Sequence, residues 1–373
     1  MRFTQLSVVR QRVKVGTPLP FNVFNNDETL LLAKGYVVQS GEQLENLLAR
    51  GTLVDIAEVF QGADAIRQAP AAMLGKLWSD NISRIHRTLS EITPETFKAA
   101  LDEAAKPVES LIDRDPDLAI LQVMRQEGNE HMQYGLNHAI HTAIVCRLVA
   151  KRLDWSDDES NRAFKAALTM NISMFELQGI LAQQASRPND EQMKQIRSHP
   201  TRSRVLLEKA GVTDRDWLLG VEQHHETTDR LGYPLGIANP SELATLLNRA
   251  DIYAAKLSPR SSREPLPADR AGRELFMRDP GNPMTAALVK EFGVYPPGCY
   301  VSLASGEVGV VIKRGPTVMA PVVAVLVSKN GAPVHEHIKR ETSNPAYAVA
   351  GAVPLKQMKV RMAPESLALL AAA

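Results

Sequence analysis

The chain has 373 residues, 44% of them hydrophobic, so it can form two or three domains and bury a core. Its 43 basic and 42 acidic residues give a formal net charge of +1, which provides no global basic excess for binding nucleic acid. Two cysteines, Cys146 and Cys299, exclude a disulfide framework and a cysteine-rich zinc module. The sequence shows neither a secretory signal nor a long apolar run, so we expect a cytoplasmic protein without a membrane span.

Residues 1–58 have the pattern of a small β-rich module. The apolar runs at residues 21–24 and 30–32 flank the turn signal Asn-Asn-Asp-Glu, which predicts a β-hairpin. Ser40 is a favourable N-cap residue for a short helix, and Gly51 is typical of the position after a helix end. We therefore expect a few strands and one helix in this module.

Residues 59–292 are predicted to be mainly helical. Ile140, Ile144 and Leu148 recur at intervals of four residues, which places them on one apolar face of a helix. Such a face is expected to be buried against neighbouring helices. The fold class predicted for the chain is mainly α, with a helical bundle between small N-terminal and C-terminal β modules.

Residues 293–373 return to a β pattern. Val308, Val310 and Ile312 alternate along the sequence, so they share one face of a strand. Residues 322–327 form a continuous apolar run that is typical of a buried strand, and Asn330-Gly331 is a strong hairpin signal. These patterns predict a small sheet or a partial barrel.

Histidines are concentrated in the helical region in positions that suit metal binding. Neutral imidazoles from several segments can bind one first-row divalent metal, and Asp251 lies in an apolar segment as a candidate buried carboxylate. The alternative is that these histidines are hydrogen-bonded core residues, and we prefer that interpretation for His141, His335 and His337. The histidines in suggestive positions are His138, His141, His199, His224 and His225.

The segment HHETTDRLGYP, at residues 224–234, resembles the signature HHE-x-x-DG-x-GYP of the HD-GYP family. Active members of that family hydrolyse the bacterial second messenger cyclic di-GMP. His199-Pro200 is similar to the "HP" motif of the family, and Asp251, with Arg260 and Arg263 beyond it, resembles its late D…A…R…R segment. The resemblance implies an HD-GYP-like helical domain. Its metal ligands in this chain are then His138, His199, His224, His225 and Asp251.

The sequence departs from the family at the His-Asp dyad that gives the family its name. The family motif AALLHDIGK is replaced by AALTMNISM, so Met170 and Asn171 occupy the dyad positions and Met174 replaces the lysine. In the family the aspartate bridges two metal ions, whereas asparagine is neutral and a methionine thioether suits hard ions poorly. Arg230 stands where the signature has a glycine. We therefore expect no catalytic residue at the dyad and a degenerate active site.

The remaining ligands predict one divalent metal, which is iron, manganese or zinc, bound by His199, His224 and His225. The resemblance also implies that the Gly-Tyr-Pro loop can contact diguanylate cyclase-type domains or other signalling proteins. Arginine guanidinium groups near the site can bind phosphate oxygens. The predicted nucleotide or partner contacts are Gly232, Tyr233, Pro234, Arg260 and Arg263.

Three functions follow from these observations. The preferred one is a bacterial signalling protein that binds cyclic di-GMP or a partner protein without efficient hydrolysis. The second is a metal-dependent cyclic di-GMP phosphodiesterase with an altered metal site, and the third is a structural adaptor that binds no nucleotide. Binding of cyclic di-GMP separates the first two from the third, and turnover separates the second from the first.

Overall fold

The computed structural model describes residues 2–60, 63–125, 133–334 and 338–358, and residues 360, 362, 366, 367, 369 and 370. His131, His335 and His337 lie outside the described residues, as does the weakly indicated metal site around His335 and His337.

The N-terminal residues form a four-stranded antiparallel sheet with the strand order β1-β4-β2-β3. The predicted hairpin is confirmed, because Val23 on β2 pairs with Leu32 on β3. The predicted helix is confirmed too: the Ser40 side chain accepts a hydrogen bond from the backbone N–H of Gln43, and Gly51 follows the helix end with a φ of +67°. The elements are β1 (Phe3–Gln5), β2 (Val23–Phe24), β3 (Leu30–Leu32), α1 (Gly41–Ala49) and β4 (Leu53–Asp55).

Helices make up the middle of the chain, and between residues 56 and 292 the described residues contain no β-strand. The first five are α2 (Ile56–Val59), α3 (Ala63–Gln68), α4 (Leu74–Ser90), α5 (Phe97–Arg114) and α6 (Pro116–Met124). The next four are α7 (Tyr134–Arg152), α8 (Asp157–Thr169), α9 (Phe175–Gln183) and α10 (Asp190–Lys209). The last four are α11 (Arg215–Gln223), α12 (Glu242–Leu257), α13 (Ala268–Arg278) and α14 (Pro283–Phe292).

Helix α7 lies at the centre of this bundle and packs against α8, α9, α12 and α14. The predicted apolar stripe is confirmed, because Ile140, Ile144 and Leu148 are all buried. The start of the helix approaches α9 closely: a Cβ atom at Gly135 would lie 2.7 Å from the carbonyl oxygen of Phe175. Glycine at this position therefore lets α7 and α9 pack together.

The C-terminal residues form a five-stranded antiparallel sheet with the order β8-β7-β6-β5-β9. Its middle strand is buried on both faces, whereas the sequence pattern indicated only one apolar face. Val310 and Ile312 join the main core, and Val311 joins a second cluster with Val301 and Val323. The strands are β5 (Tyr300–Leu303), β6 (Val308–Lys313), β7 (Val322–Val327), β8 (Lys339–Glu341) and β9 (Val349–Ala352).

Charged side chains connect this sheet to the helices. The Nε atom of Arg314 donates to Asp117 at 2.6 Å, and its guanidinium group also contacts Glu291, which pairs with Arg152. The predicted fold class, a mainly α chain with small β sheets at both ends, is confirmed. Among the described residues, no helix is both long and apolar enough to cross a membrane.

Candidate metal centre

Three histidines from two neighbouring helices converge in the bundle. His199 lies in α10, His224 caps the C-terminal end of α11, and His225 follows it. One ring nitrogen from each lies within 4.8 Å of the others, and among the described residues this is the only group of three metal-ligating side chains so arranged. The convergence expected from the sequence is therefore present.

Hydrogen bonds set the tautomers of two of these imidazoles. The Nδ1 atom of His199 donates to the carbonyl oxygen of Ile196 at 2.6 Å, and that of His224 donates to the carbonyl of Val221 at 2.7 Å. A carbonyl can only accept, so in the neutral rings both Nε2 atoms carry lone pairs. These two atoms are 3.1 Å apart, a separation that suits two nitrogens each about 2.1 Å from a shared ion.

The site keeps its histidines neutral. Burial, followed by the nearby charge of His224, lowers the pKa of His199 to about 3, and burial also lowers the pKa of His224 and His225. A metal binds the neutral imidazole, so no proton has to be removed near neutral pH. Two facing lone pairs repel each other unless a cation lies near them, and the donor set therefore fits a divalent metal.

The loop after His225 supports that side chain. The ring of Tyr233 stacks on the His225 ring with centroids 4.6 Å apart, and the Tyr233 backbone N–H donates to the His225 carbonyl at 3.2 Å. Gly232 leaves no space for a side chain, because a Cβ atom there would lie 2.5 Å from the Cα atom of Glu226. Part of the Gly-Tyr-Pro segment is thus packed against a metal-ligand candidate.

Glu226 belongs to the HHE motif but was not among the site residues predicted from the sequence. Its buried carboxylate accepts backbone hydrogen bonds from Leu235 at 2.6 Å, Gly236 at 3.2 Å and Ile237 at 3.0 Å. These contacts close the loop on itself. They leave Leu231 with 85% of its surface exposed at the tip.

His138 and Asp251 form a pair of their own. The Nε2 atom of His138 on α7 lies 2.7 Å from Oδ1 of Asp251 on α12, so the ring proton sits on Nε2 and is donated to the carboxylate. Burial would raise the pKa of Asp251, but the hydrogen bond and charge of His138, with His225 and His224, lower it overall. The carboxylate is therefore ionised and already satisfied by one imidazole.

The two dyad positions have different environments. Met170 is fully buried and belongs to the main hydrophobic core. Asn171 lines the same cavity as His199, and its Oδ1 atom is buried without a hydrogen-bond partner among the described residues. An unpartnered amide oxygen is a possible metal ligand, but it carries no net charge. Met174, at the lysine position, also lines this cavity.

The cavity has a volume of about 390 Å³ and a cationic lining. Arg260 and Arg263 were expected here, whereas Lys256, Arg278 and Tyr134 were not identified from the sequence. Tyr233, of the Gly-Tyr-Pro segment, is part of the lining, and Gly232 and Pro234 are not among the lining residues. His141 is also outside the lining, and its buried Nδ1 atom has no hydrogen-bond partner among the described residues.

Comparison with known proteins relates this arrangement to a family. Residues 120–276 match the family described as HD domain, so this part of the chain is similar to HD domains. The resemblance inferred from the motifs is confirmed at this level.

One curated relative is the cyclic di-GMP phosphodiesterase PA4108 of Pseudomonas aeruginosa, which is 30% identical over 224 residues. The match covers 56% of this chain and 51% of the relative, so the chain spans about half the length of the curated relative it matches. A similar solved structure is Bd1817, a HDG"Y"P protein from Bdellovibrio bacteriovorus. It has a TM-score of 0.47 and 16% sequence identity, with 77% of this chain and 97% of that chain covered.

Proposed function

We propose that the chain binds cyclic di-GMP at a single-metal, HD-GYP-like site and does not hydrolyse it efficiently. The observation that carries this proposal is the environment of the dyad positions. Met170 is in the hydrophobic core, and Asn171 offers the cavity a neutral oxygen in place of a bridging carboxylate. A two-metal clamp on a phosphodiester needs ligands that hold two cations close together.

One metal has a suitable set of ligands. His199, His224 and His225 would hold it, and the unpartnered Oδ1 of Asn171 is available as a further oxygen donor. A bound divalent ion would supply Lewis acidity toward a phosphoryl oxygen. The protein's own contribution is to keep the three imidazoles neutral and oriented.

A second metal lacks such a set. His138 and Asp251, which the family resemblance assigns to the second ion, are hydrogen-bonded to each other. The neutral amide of Asn171 cannot offset the repulsion between two divalent cations. We therefore expect binding without rapid hydrolysis.

The lining of the cavity favours an anionic nucleotide. Lys256, Arg260 and Arg263 provide positive charge, and Ile196 and Ile252 provide apolar surface for a base. The activity named for the curated relative supports cyclic di-GMP as the ligand.

The test combines calorimetric titration with a turnover assay in added manganese or iron. We expect saturable binding of cyclic di-GMP by the wild type, weaker binding by His224→Ala, and unchanged binding by His86→Ala, whose imidazole is not among the cavity-lining residues. Steady multiple turnover that His224→Ala abolishes would place the chain among the phosphodiesterases. Absence of binding would favour the structural adaptor.

A second candidate function, docking of a diguanylate cyclase-type domain, is favoured by the loop that Glu226 holds. Leu231 and Leu235 are 85% and 54% exposed, and apolar side chains on a fixed loop suit a protein interface. Leu231→Asp is expected to abolish co-purification with such a domain, whereas Leu206→Asp, on the outer side of α10, is the control. Equal co-purification of both variants would contradict this role.

A further inference from the structure

Tyr134, the first residue of α7, contacts two different parts of the candidate site. Its ring is parallel to the His138 ring, with 6° between the planes and 6.1 Å between the centroids. Its hydroxyl oxygen accepts a hydrogen bond from Nε of Arg260 at 2.8 Å, and the guanidinium carbon lies 5.4 Å from the ring centroid. One tyrosine therefore connects the His138–Asp251 pair to an arginine of the cavity lining.

The backbone that carries Arg260 is fixed. Arg260 and Arg263 exchange two backbone hydrogen bonds of 3.0 Å each, which close a tight turn after α12. The N–H of Ser261 donates to the carbonyl oxygen of Ala182 at 2.7 Å and ties this turn to the end of α9. A fixed backbone does not orient an arginine side chain, which has several rotatable bonds, so the orientation has to come from a side-chain contact.

Arg260 is available for an anionic ligand. It forms no ion pair with a carboxylate among the residues that the structure describes. Because Nε is engaged by the hydroxyl of Tyr134, the two terminal nitrogens remain as a planar fork, the geometry that binds phosphate oxygens. Both residues line the cavity of the histidine cluster.

We propose that Tyr134 is a positioning residue for ligand recognition, which holds the Arg260 guanidinium so that its fork binds the non-bridging oxygens of a phosphodiester. This inference rests on the proposed function, since it assumes a phosphate-containing ligand in the cavity. A tyrosine restricts the arginine before the ligand arrives, so less side-chain freedom is lost on binding. The hydroxyl of Tyr134, rather than its ring, carries this role.

A double-mutant cycle tests the proposal by calorimetry with cyclic di-GMP. Tyr134→Phe removes the hydroxyl and keeps the ring, and we expect it to weaken binding about fivefold to tenfold. Arg260→Gln is expected to weaken binding at least as much. In the Arg260→Gln background, Tyr134→Phe should have no further effect, because the group it positions is absent. A purely structural role for the hydroxyl predicts the same loss in both backgrounds.

Tyr347→Phe is the matched control, because Arg340 lies 4.3 Å over the Tyr347 ring in the C-terminal sheet, away from the cavity. It should bind as the wild type does. The proposal is overturned if Tyr134→Phe binds normally or if the two losses multiply.

Repeating the cycle with inorganic pyrophosphate separates this inference from the proposed function. Binding of pyrophosphate without cyclic di-GMP refutes the proposed ligand, while the cycle still decides the role of Tyr134. Binding of neither probe overturns both.

Discussion

His138 and Asp251 are 113 residues apart in sequence, and a 2.7 Å hydrogen bond joins them inside the bundle. The bond connects α7 to α12, the two helices that form one side of the cavity. Because His138 donates its Nε2 proton to the carboxylate, the charge of Asp251 has a partner without a metal, although the buried Nδ1 atom of His138 has no hydrogen-bond partner among the described residues. The three-histidine cluster has no such pairing of a proton donor with an acceptor, because the Nε2 atoms of His199 and His224 face each other and both carry lone pairs. The two halves of the site therefore differ in their need for a cation.

The buried stripe of α7 gives a direct test of the core. Leu148→Ala is expected to lower the free energy of unfolding by about 2–5 kcal/mol, because it leaves a cavity beside α7. Val205→Ala, at a position that is 41% exposed on α10, is the control and should cost less than about 0.5 kcal/mol. Equal effects in chemical denaturation would show that the α7 face is not buried.

The sequence could predict features that lie within one segment or that the family resemblance places together. The stripe of Ile140, Ile144 and Leu148 follows from periodicity, and the convergence of His199 with His224 follows from the family resemblance. Contacts between distant segments could not be predicted, because periodicity along a helix does not say which residue of another helix it meets. The Tyr134–Arg260 hydrogen bond, across 126 residues, is one example. The second buried face of β6 is another, since Val311 gave no signal that a further apolar layer covers it.

Arg230, at the glycine position of the family signature, has a strained backbone. Its φ of +62° lies in the left-handed region that glycine adopts readily and other residues adopt at a cost. Arg230→Gly is therefore expected to raise the free energy of unfolding by about 0.5–1 kcal/mol. Arg230→Ala keeps a Cβ atom and should give no such gain. Thermal unfolding of the two variants measures the difference, and equal midpoints would contradict the strain.

Gly232 tests the connection between the loop and the metal ligand. Gly232→Ala would place a Cβ atom 2.5 Å from both the His225 carbonyl oxygen and the Cα atom of Glu226, so the backbone has to move. We expect metal affinity to fall about tenfold or more, as when the supports of other metal ligands are lost. Gly351→Ala, where a Cβ atom meets nothing within 4 Å, is the control. Unchanged metal affinity in Gly232→Ala would show that the loop does not position His225.

Acid should destabilise the metal-free protein through its buried histidines. Burial, followed by His138 and His86, lowers the pKa of His141 to about 3. Between this value and an unfolded pKa of about 6.5 the unfolded chain binds the extra proton, so the stabilisation is complete above pH 6.5 and is lost as the pH falls. Between pH 7 and pH 5 the free energy of unfolding should therefore fall by up to about 2 kcal/mol less in His141→Phe than in the wild type. Urea unfolding in chelator at both pH values measures this difference, and parallel losses in the two proteins would refute it.

The metal content of the protein follows from the charge at Asn171. Protein purified without a metal-binding tag is expected to hold about one iron, manganese or zinc ion per chain, because only one three-histidine cluster is found among the described residues. Asn171→Asp adds a negative charge to the cavity with almost no change in shape, so it should tighten metal binding at least about tenfold. The number of ions should stay at one, because Met170 remains in the core and cannot complete a second site.

Asn161→Asp, beside Arg147 and not among the cavity-lining residues, is the control and should bind metal as the wild type does. Elemental analysis and competition with a chelator give the number and the affinity. Two ions per wild-type chain, or an Asn171→Asp protein with unchanged affinity, would show that Asn171 does not limit the site.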